Sequence, residues 1–508
     1  MSFSKIALIS ALAATAAALP QWGGWQGNAS WQGFHDENAY DCRQNPFKRV
    51  VSFSIDGLHA SDVEKWLAYK PSSNISALLK TGYEYTNAYT SAPSDSFPGT
   101  CAFYTGATPK TTGVWYDDVW DRSLYDPKDT ACASAGAEIV YDESIDYNSS
   151  AVFSGGINPA NLPRAKVNGK CVPLYPHSRI RVNTLFEVAV NHGLVTAYTD
   201  KHPSYDLVRG PSGKGLTVGY FPEINAYSTQ NLSAIIEYDT FHVNAWLEWL
   251  DGQTPANSEG SLGGKIPSLF GGNFQAVSVA QKTFGYANDS ASSFSPQLIT
   301  ALTFVDNSLG LIINKLKAKG MYDETLIAVA SKHGQAPIKR SLYNKVDPLV
   351  ITNATGVAVD FQTSDDIALI FLHNQADLQK AVDGLNAHRT QGKIRAVIYG
   401  QNLTASGFGD PTKDPAVPDI IVQPELGTIY TTSTKKIAEH GGISGDDRIV
   451  AAFVSNPRLQ ARKFAQQVFT TQFAPTVLEA LNLPVHELQG AQQERTQMLP
   501  GFTGQRQW

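Results

Sequence analysis

The feature that most restricts what this chain can fold into is a recurring junction, where a short run of apolar and β-branched residues stops at a polar or glycine turn and helical periodicity takes over. Residues 49–55 (RVVSFSI) stop at Asp56-Gly57, the pattern of a buried strand that delivers a carboxylate to its carboxyl end. Residues 83–91 run into Ala92-Pro93-Ser94-Asp95-Ser96-Phe97-Pro98 and a helical pattern from Thr100, so Ser96 is expected at a strand-to-helix junction. The alternation continues with a helix at 182–192, a strand at 194–199, a helix at 238–250 and a strand at 274–280. A long amphipathic helix at 295–319, ended by Gly320, precedes a strand at 325–330 and the turn Lys332-His333-Gly334. A strand at 448–454 and a helix at 473–481 close the series. Such repeats imply an α/β fold with a largely parallel central sheet, helices on both faces and chemistry at the strand ends.

Composition assigns the remaining segments. Met1 to Lys5 and the Ala- and Leu-rich run to Leu19 read as a signal peptide over 1–19, its apolar core being shorter than the ~20 residues a bilayer requires. No later stretch reads as an anchor, so no membrane partner is expected. Residues 20–47, rich in Trp, Gly, Gln and Asn, read as an irregular N-terminal arm, 48–485 as the α/β domain and 486–508 as a polar tail. Within the domain, 117–178 is loop-rich and reads as a lid-like insertion, while 366–400 reads as a cap subdomain or part of the main sheet. A net charge of -6 with no basic stripe argues against nucleic acid polymers as partners. The four cysteines, Cys42, Cys101, Cys132 and Cys171, favour two disulfides in an oxidising compartment, with three connectivities open. Sequons at Asn28, Asn74, Asn148, Asn231, Asn288, Asn353 and Asn402 agree with a secreted, extracellular glycoprotein.

Five signals stand in a fixed order: the strand ending at Asp56-Gly57, then Ser96-Phe97-Pro98, then Thr105-Gly106 with Thr112-Gly113-Val114, then 325–334, then Glu439-His440-Gly441-Gly442. This order resembles the alkaline phosphatase superfamily, specifically its type I phosphodiesterase and nucleotide pyrophosphatase branch, over residues 48–485. The resemblance implies an alkaline phosphatase-like fold, Asp56 as a metal ligand, Ser96 as the nucleophile, and His333 and His440 as later ligands. The residue types suit those roles, because a serine hydroxyl needs a base or cation to become nucleophilic and a helix N-terminus offers donors to an anionic substrate. The plainer readings are that Asp56 caps a turn, that Ser96 caps a helix, and that the two histidines belong to the core.

Departures from the family pattern carry more information than agreements. Where the resemblance calls for Asp-His-Gly the chain has Lys332-His333-Gly334, and the family's Glu-Pro-Asp-x-x-Gly-His segment falls on 280–286, with Lys282 for an aspartate and Tyr286 for a histidine. Each Asp-to-Lys exchange shifts the local charge by two units, and a unit charge ~4 Å away is worth about 4 kcal/mol at an effective dielectric of 20. The usual di-zinc centre is therefore not expected, and Asp56, His333 and His440 would hold at most one divalent ion, zinc by preference. Lysines here can replace a metal as a clamp on anionic oxygens or assist the serine, or else pair with Asp56 in a decayed site. Asp200-Lys201-His202 is similar to the Lys-x-His turn of sulfatases with shifted spacing, which adds Lys201 and His202 as candidate substrate contacts beside Tyr286 at the family's histidine position.

Three functions compete on this reading. One is a secreted hydrolase cleaving a phosphodiester, pyrophosphate or related small anionic ester through Ser96, with Lys332 and Lys282 as electrostatic or base residues. A second keeps the fold but runs a metal-independent reaction on a small organic compound through Ser96 and Lys332 or Lys282. The third is a non-catalytic secreted protein that binds an anionic ligand or glycan in the old cleft.

Overall fold

A computed structural model describes residues 39–289 and 293–503. The expected signal peptide, Asn28, most of the arm and the last five residues lie outside the described residues. The chain folds around a nine-stranded sheet in the spatial order Glu259–Gly260, Val218–Tyr220, Thr196–Thr199, Leu269–Phe274, Arg49–Ile55, Thr325–Ala330, Ala452–Ser455, Gly82–Tyr85, Arg462–Phe464. The strands run parallel except for the edge strand Glu259–Gly260 and for Ala452–Ser455, which is antiparallel to both of its neighbours. Side chains alternate between two buried faces, as a sheet covered on both sides requires: Val50 packs into one hydrophobic cluster and Val51, Phe53 and Ile55 into the other. The fold is thus α/β and largely parallel, as the sequence implies.

One expected element is misplaced. Residues 274–280 read as a strand, but the strand is Leu269–Phe274 and the helix Ala276–Phe284 follows at once. Gly271 and Gly272 hide it, since glycine lacks the side chain that marks a strand. Close packing demands them, because a Cβ on Gly271 would fall 1.8 Å from the Ser52 carbonyl oxygen and one on Gly272 2.3 Å from that of Thr199.

Two smaller units sit on this frame. Within 117–178, Asp118–Tyr125, Ala135–Val140, Arg164–Val167 and Lys170–Pro173 form an antiparallel sheet, pinned by a Cys132–Cys171 disulfide. The second disulfide expected from the even cysteine count is absent: Cys42 and Cys101 are free, buried, and part of the main core. The strand, helix and strand expected within 366–400 belong to a separate subdomain, larger than those limits, with the sheet order Val359–Ser364, Ala368–Leu372, Ile420–Pro424, Ile394–Tyr399. It has its own hydrophobic cluster and is closed at its base by pairing of Asn344–Val346 with Thr428–Tyr430.

The tail is part of the fold up to Thr503, since Phe502–Thr503 pairs with Tyr40–Asp41 and Leu488, Leu499 and Phe502 enter the core. Contrary to the sequence reading, one later segment is long and apolar enough to cross a membrane, the helix Pro296–Ala318. Its Leu298, Leu302, Val305, Leu309 and Leu316 are buried in the core beneath the sheet. Asn148, Asn231, Asn288, Asn353 and Asn402 are exposed. Asn74 is not comparable, because its amide donates to the Asp306 carbonyl oxygen at 2.9 Å, so a glycan there would break a contact with the long helix.

Candidate active site

The carboxyl ends of the parallel strands converge on Asp56, fully buried just beyond Arg49–Ile55. Its Oδ2 accepts from Gln275 Nε2 at 2.7 Å and Asn273 Nδ2 at 3.0 Å, and its Oδ1 from Ser54 Oγ at 3.3 Å. Three cationic or basic groups surround the same oxygen: Lys332 Nζ at 3.5 Å, His333 Nε2 at 3.5 Å and Lys201 Nζ at 4.0 Å. Burial alone would push the Asp56 carboxyl up, but Lys332, His333 and Lys201 outweigh it and hold it well below the usual carboxylate range.

Lys332 is itself enclosed. Its Nζ donates to Tyr205 Oη at 2.8 Å, lies 4.5 Å from the centroid of that ring and is 3.5 Å from Asp200 Oδ1. Two carboxylates and an aromatic face thus compensate a lysine that is 1% exposed.

Ser96 is the first residue of the helix Ser96–Thr105, whose N-cap Asp95 accepts from the Phe97 amide at 3.3 Å. Its Oγ accepts from Lys201 Nζ at 3.2 Å. The hydroxyl, a helix N-terminus and an ammonium group therefore meet at one point, an arrangement chemically suited to an anion. Ser96 is 1% exposed, so the centre is closed.

The other expected site residues scatter. Lys282 lies on the helix Ala276–Phe284 and forms an ion pair with Glu439, which Lys436 also meets, at 2.5 Å. Tyr286 spends its hydroxyl in a buried network with Asp62, at 2.8 Å, His59 and Gln281. His202 turns away from Lys201 to Glu223, its Nδ1 2.9 Å from both carboxylate oxygens. His440 lies against His333 with centroids 3.9 Å apart and the rings tilted by 36°, while its Nδ1 faces Asp95 at 3.3 Å and its Nε2 faces Glu439 at 3.7 Å. Burial, with the charges of His333 and Lys282, keeps the His440 imidazole well below its usual range and so neutral.

Sequence reasoning missed Gln275, Asn273, Asp200 and Tyr205. The misplaced strand explains the first two: with Leu269–Phe274 in register beside Arg49–Ile55, the residue that follows it and faces Asp56 is Gln275, not Lys282. The position nearest Asp56 therefore carries a neutral amide.

These residues do not fit the metal centre of the family. An ion on Asp56 Oδ2 would stand beside two ammonium groups and two amide donors, and repulsion of ~4 kcal/mol per charge pair is expected at such distances. Nor do Asp56, His333 and His440 converge: among the described residues, the group of three whose donor atoms all lie within 4.8 Å of one another is Glu143, His202 and Glu223.

Residues 50–447 match the family described as type I phosphodiesterase / nucleotide pyrophosphatase. The chain belongs to that family. It is on this ground a phosphodiesterase-like hydrolase of the alkaline phosphatase superfamily. Solved structures with the same fold include murine ectonucleotide pyrophosphatase / phosphodiesterase 5, at 13% identity and a TM-score of 0.55 over 86% of this chain and 96% of that one. An inactive form of the murine protein in complex with AMP matches at 14% identity and a TM-score of 0.54, again over 86% of this chain and 96% of that one. Human ectonucleotide pyrophosphatase / phosphodiesterase 5 matches at 14% and 0.54, over 86% and 95%. No curated protein sequence matches the chain.

Proposed function

We propose that this family member hydrolyses a small anionic ester, of the phosphodiester or pyrophosphate type, through Ser96 without a metal at Asp56. The observation that carries this reading is the Lys201 Nζ to Ser96 Oγ contact at 3.2 Å. Lys332 occupies the cation's place against Asp56 and Asp200, and Lys201 supplies the positive charge that favours a serine alkoxide and the oxygens of the reacting group. The bond from Oγ to phosphorus forms as the bond to the leaving oxygen breaks and the serine proton goes to that leaving group; water then forms a bond to phosphorus as the Oγ bond breaks, and a proton of that water returns to Oγ. We place the protein outside the cell, on its signal-like N-terminus, its Cys132–Cys171 disulfide and its exposed sequons.

The competing reading is a protein that binds anions without turnover. It draws on the sealing of Lys332 and on the 1% exposure of Ser96, since a reacting ester needs the closed centre to open. Activity on a nitrophenyl phosphodiester in excess chelator separates the two. Hydrolysis that persists with chelator and falls at least a hundredfold in both Ser96→Ala and Lys201→Gln supports the enzyme. Turnover absent from the wild type both with and without chelator, or unchanged by Ser96→Ala, rejects it.

A further inference from the structure

Away from Asp56, three loops bring an imidazole and three carboxylates together. The short turn Glu143–Ile145 of the insertion supplies Glu143 and, just after it, Asp146, whose amide bonds back to the Glu143 carbonyl at 3.1 Å. His202 comes from the turn that follows Thr196–Thr199, and Glu223 from the loop beyond Val218–Tyr220. Glu143, His202 and Glu223 place their donor atoms within 4.8 Å of one another, and His202 Nδ1 is 2.9 Å from both oxygens of Glu223. Donor atoms about 2.1 Å from a tetrahedral ion lie about 3.4 Å apart, so side-chain adjustments alone close this group onto one.

A second observation points to a ligand. Asp146 is 5% exposed, its side chain faces Ser154, Glu223 and His202, and neither of its carboxylate oxygens makes a hydrogen bond of normal geometry. Carboxylates crowded in this way are costly unless a cation or a proton joins them, and burial pushes Asp146 up to about 7 and Glu223 up to about 8, so a divalent ion here competes with protons.

We propose that Glu143, Asp146, His202 and Glu223 form a site for one divalent ion of the zinc or manganese class. An imidazole with several carboxylates suits those ions better than calcium or magnesium. The bound ion ties the insertion to the backbone of Lys201, the residue that touches Ser96, and so fixes the position of that ammonium without contacting substrate. This site stands whether or not Ser96 turns substrate over. It also means that chelation can lower activity without removing any catalytic metal.

The test is calorimetric titration of chelator-stripped full chain with Zn2+ and with Mn2+, alongside the thermal midpoint. One equivalent of either ion, with a raised midpoint, is expected for the wild type and for Asp56→Asn. Binding at least tenfold weaker is expected in Glu143→Gln, which alters a half-buried side chain and leaves the core intact, and binding is lost in His202→Gln. The site is overturned by wild type that takes up neither ion stoichiometrically, by affinity unchanged in Glu143→Gln and His202→Gln, or by binding that vanishes in Asp56→Asn instead.

Discussion

At the scale of single residues, the centre is a balance between one buried carboxylate and the cations around it. Replacing either Asp56 or Lys332 leaves the other charge buried with less compensation, and removing one partner of a buried pair costs about 3–5 kcal/mol. Lys332→Met and Asp56→Asn are each expected to lower the unfolding free energy by roughly 3 kcal/mol, whereas the double variant loses less than the sum because neither charge is left behind. The pH dependence follows from the depressed Asp56 carboxyl. Its contribution is fully present above the ordinary carboxylate value near 4 and is lost as pH falls through the lower folded value. The stability gap between wild type and Asp56→Asn should therefore be flat from neutral pH to about 4 and shrink only below it. Urea denaturation at a series of pH values measures this, and a gap that closes between pH 7 and 5 contradicts the charge assignment.

At the scale of elements, backbone packing explains both what the sequence showed and what it concealed. Arg49–Ile55, Thr325–Ala330 and Ile394–Tyr399 coincide with runs of β-branched and apolar residues and are readable residue for residue. Leu269–Phe274 is not, because its centre is Gly271-Gly272 and the following AVSVA has the alternation of a strand while forming a helix. Gly271→Ala is expected to cost at least about 2 kcal/mol, since the new Cβ meets a neighbouring strand's carbonyl rather than a movable side chain. A shift of the urea midpoint with an unchanged m-value is the measurement, and a neutral substitution would mean the strands can part there. The error propagates to the site. Asp56 and Ser96 were legible because they end or begin elements by strong local rules, but Gln275 was invisible once its strand was misplaced. Lys201 was legible only as a weak echo, and its partner Ser96 lies 105 positions away in the chain. Contacts of that kind depend on sheet order, which local pattern does not encode.

At the scale of the whole molecule, the insertion and the subdomain lean on each other beside the closed centre. Trp120 stacks on Phe361 with centroids 6.0 Å apart, Arg122 lies 5.0 Å from the centroid of Phe371 and pairs with the buried Asp419, and Tyr116 Oη donates to Asp365 at 3.2 Å. A cavity of about 380 Å³ lined by Trp120, Arg122, Asp360 and Gln375 remains between the two units, so the contact is broad but not fully packed. Val119 and Ile139 of the insertion and Leu369 and Phe371 of the subdomain share one cluster with Val50 and Leu326 of the sheet, while the subdomain also has a cluster of its own, so opening towards Ser96 is expected to begin at the incompletely packed contact between the two units. Arg122→Ala removes the partner of Asp419 and the cover on Phe371, at a cost of about 2–4 kcal/mol confined to that interface. Amide exchange is expected to accelerate in 117–178 and 344–430 while Arg49–Ile55 and Thr325–Ala330 keep their protection. Uniform acceleration across the sheet would mean that the two units are not independent of the core, and that access to Ser96 requires loosening of the whole fold.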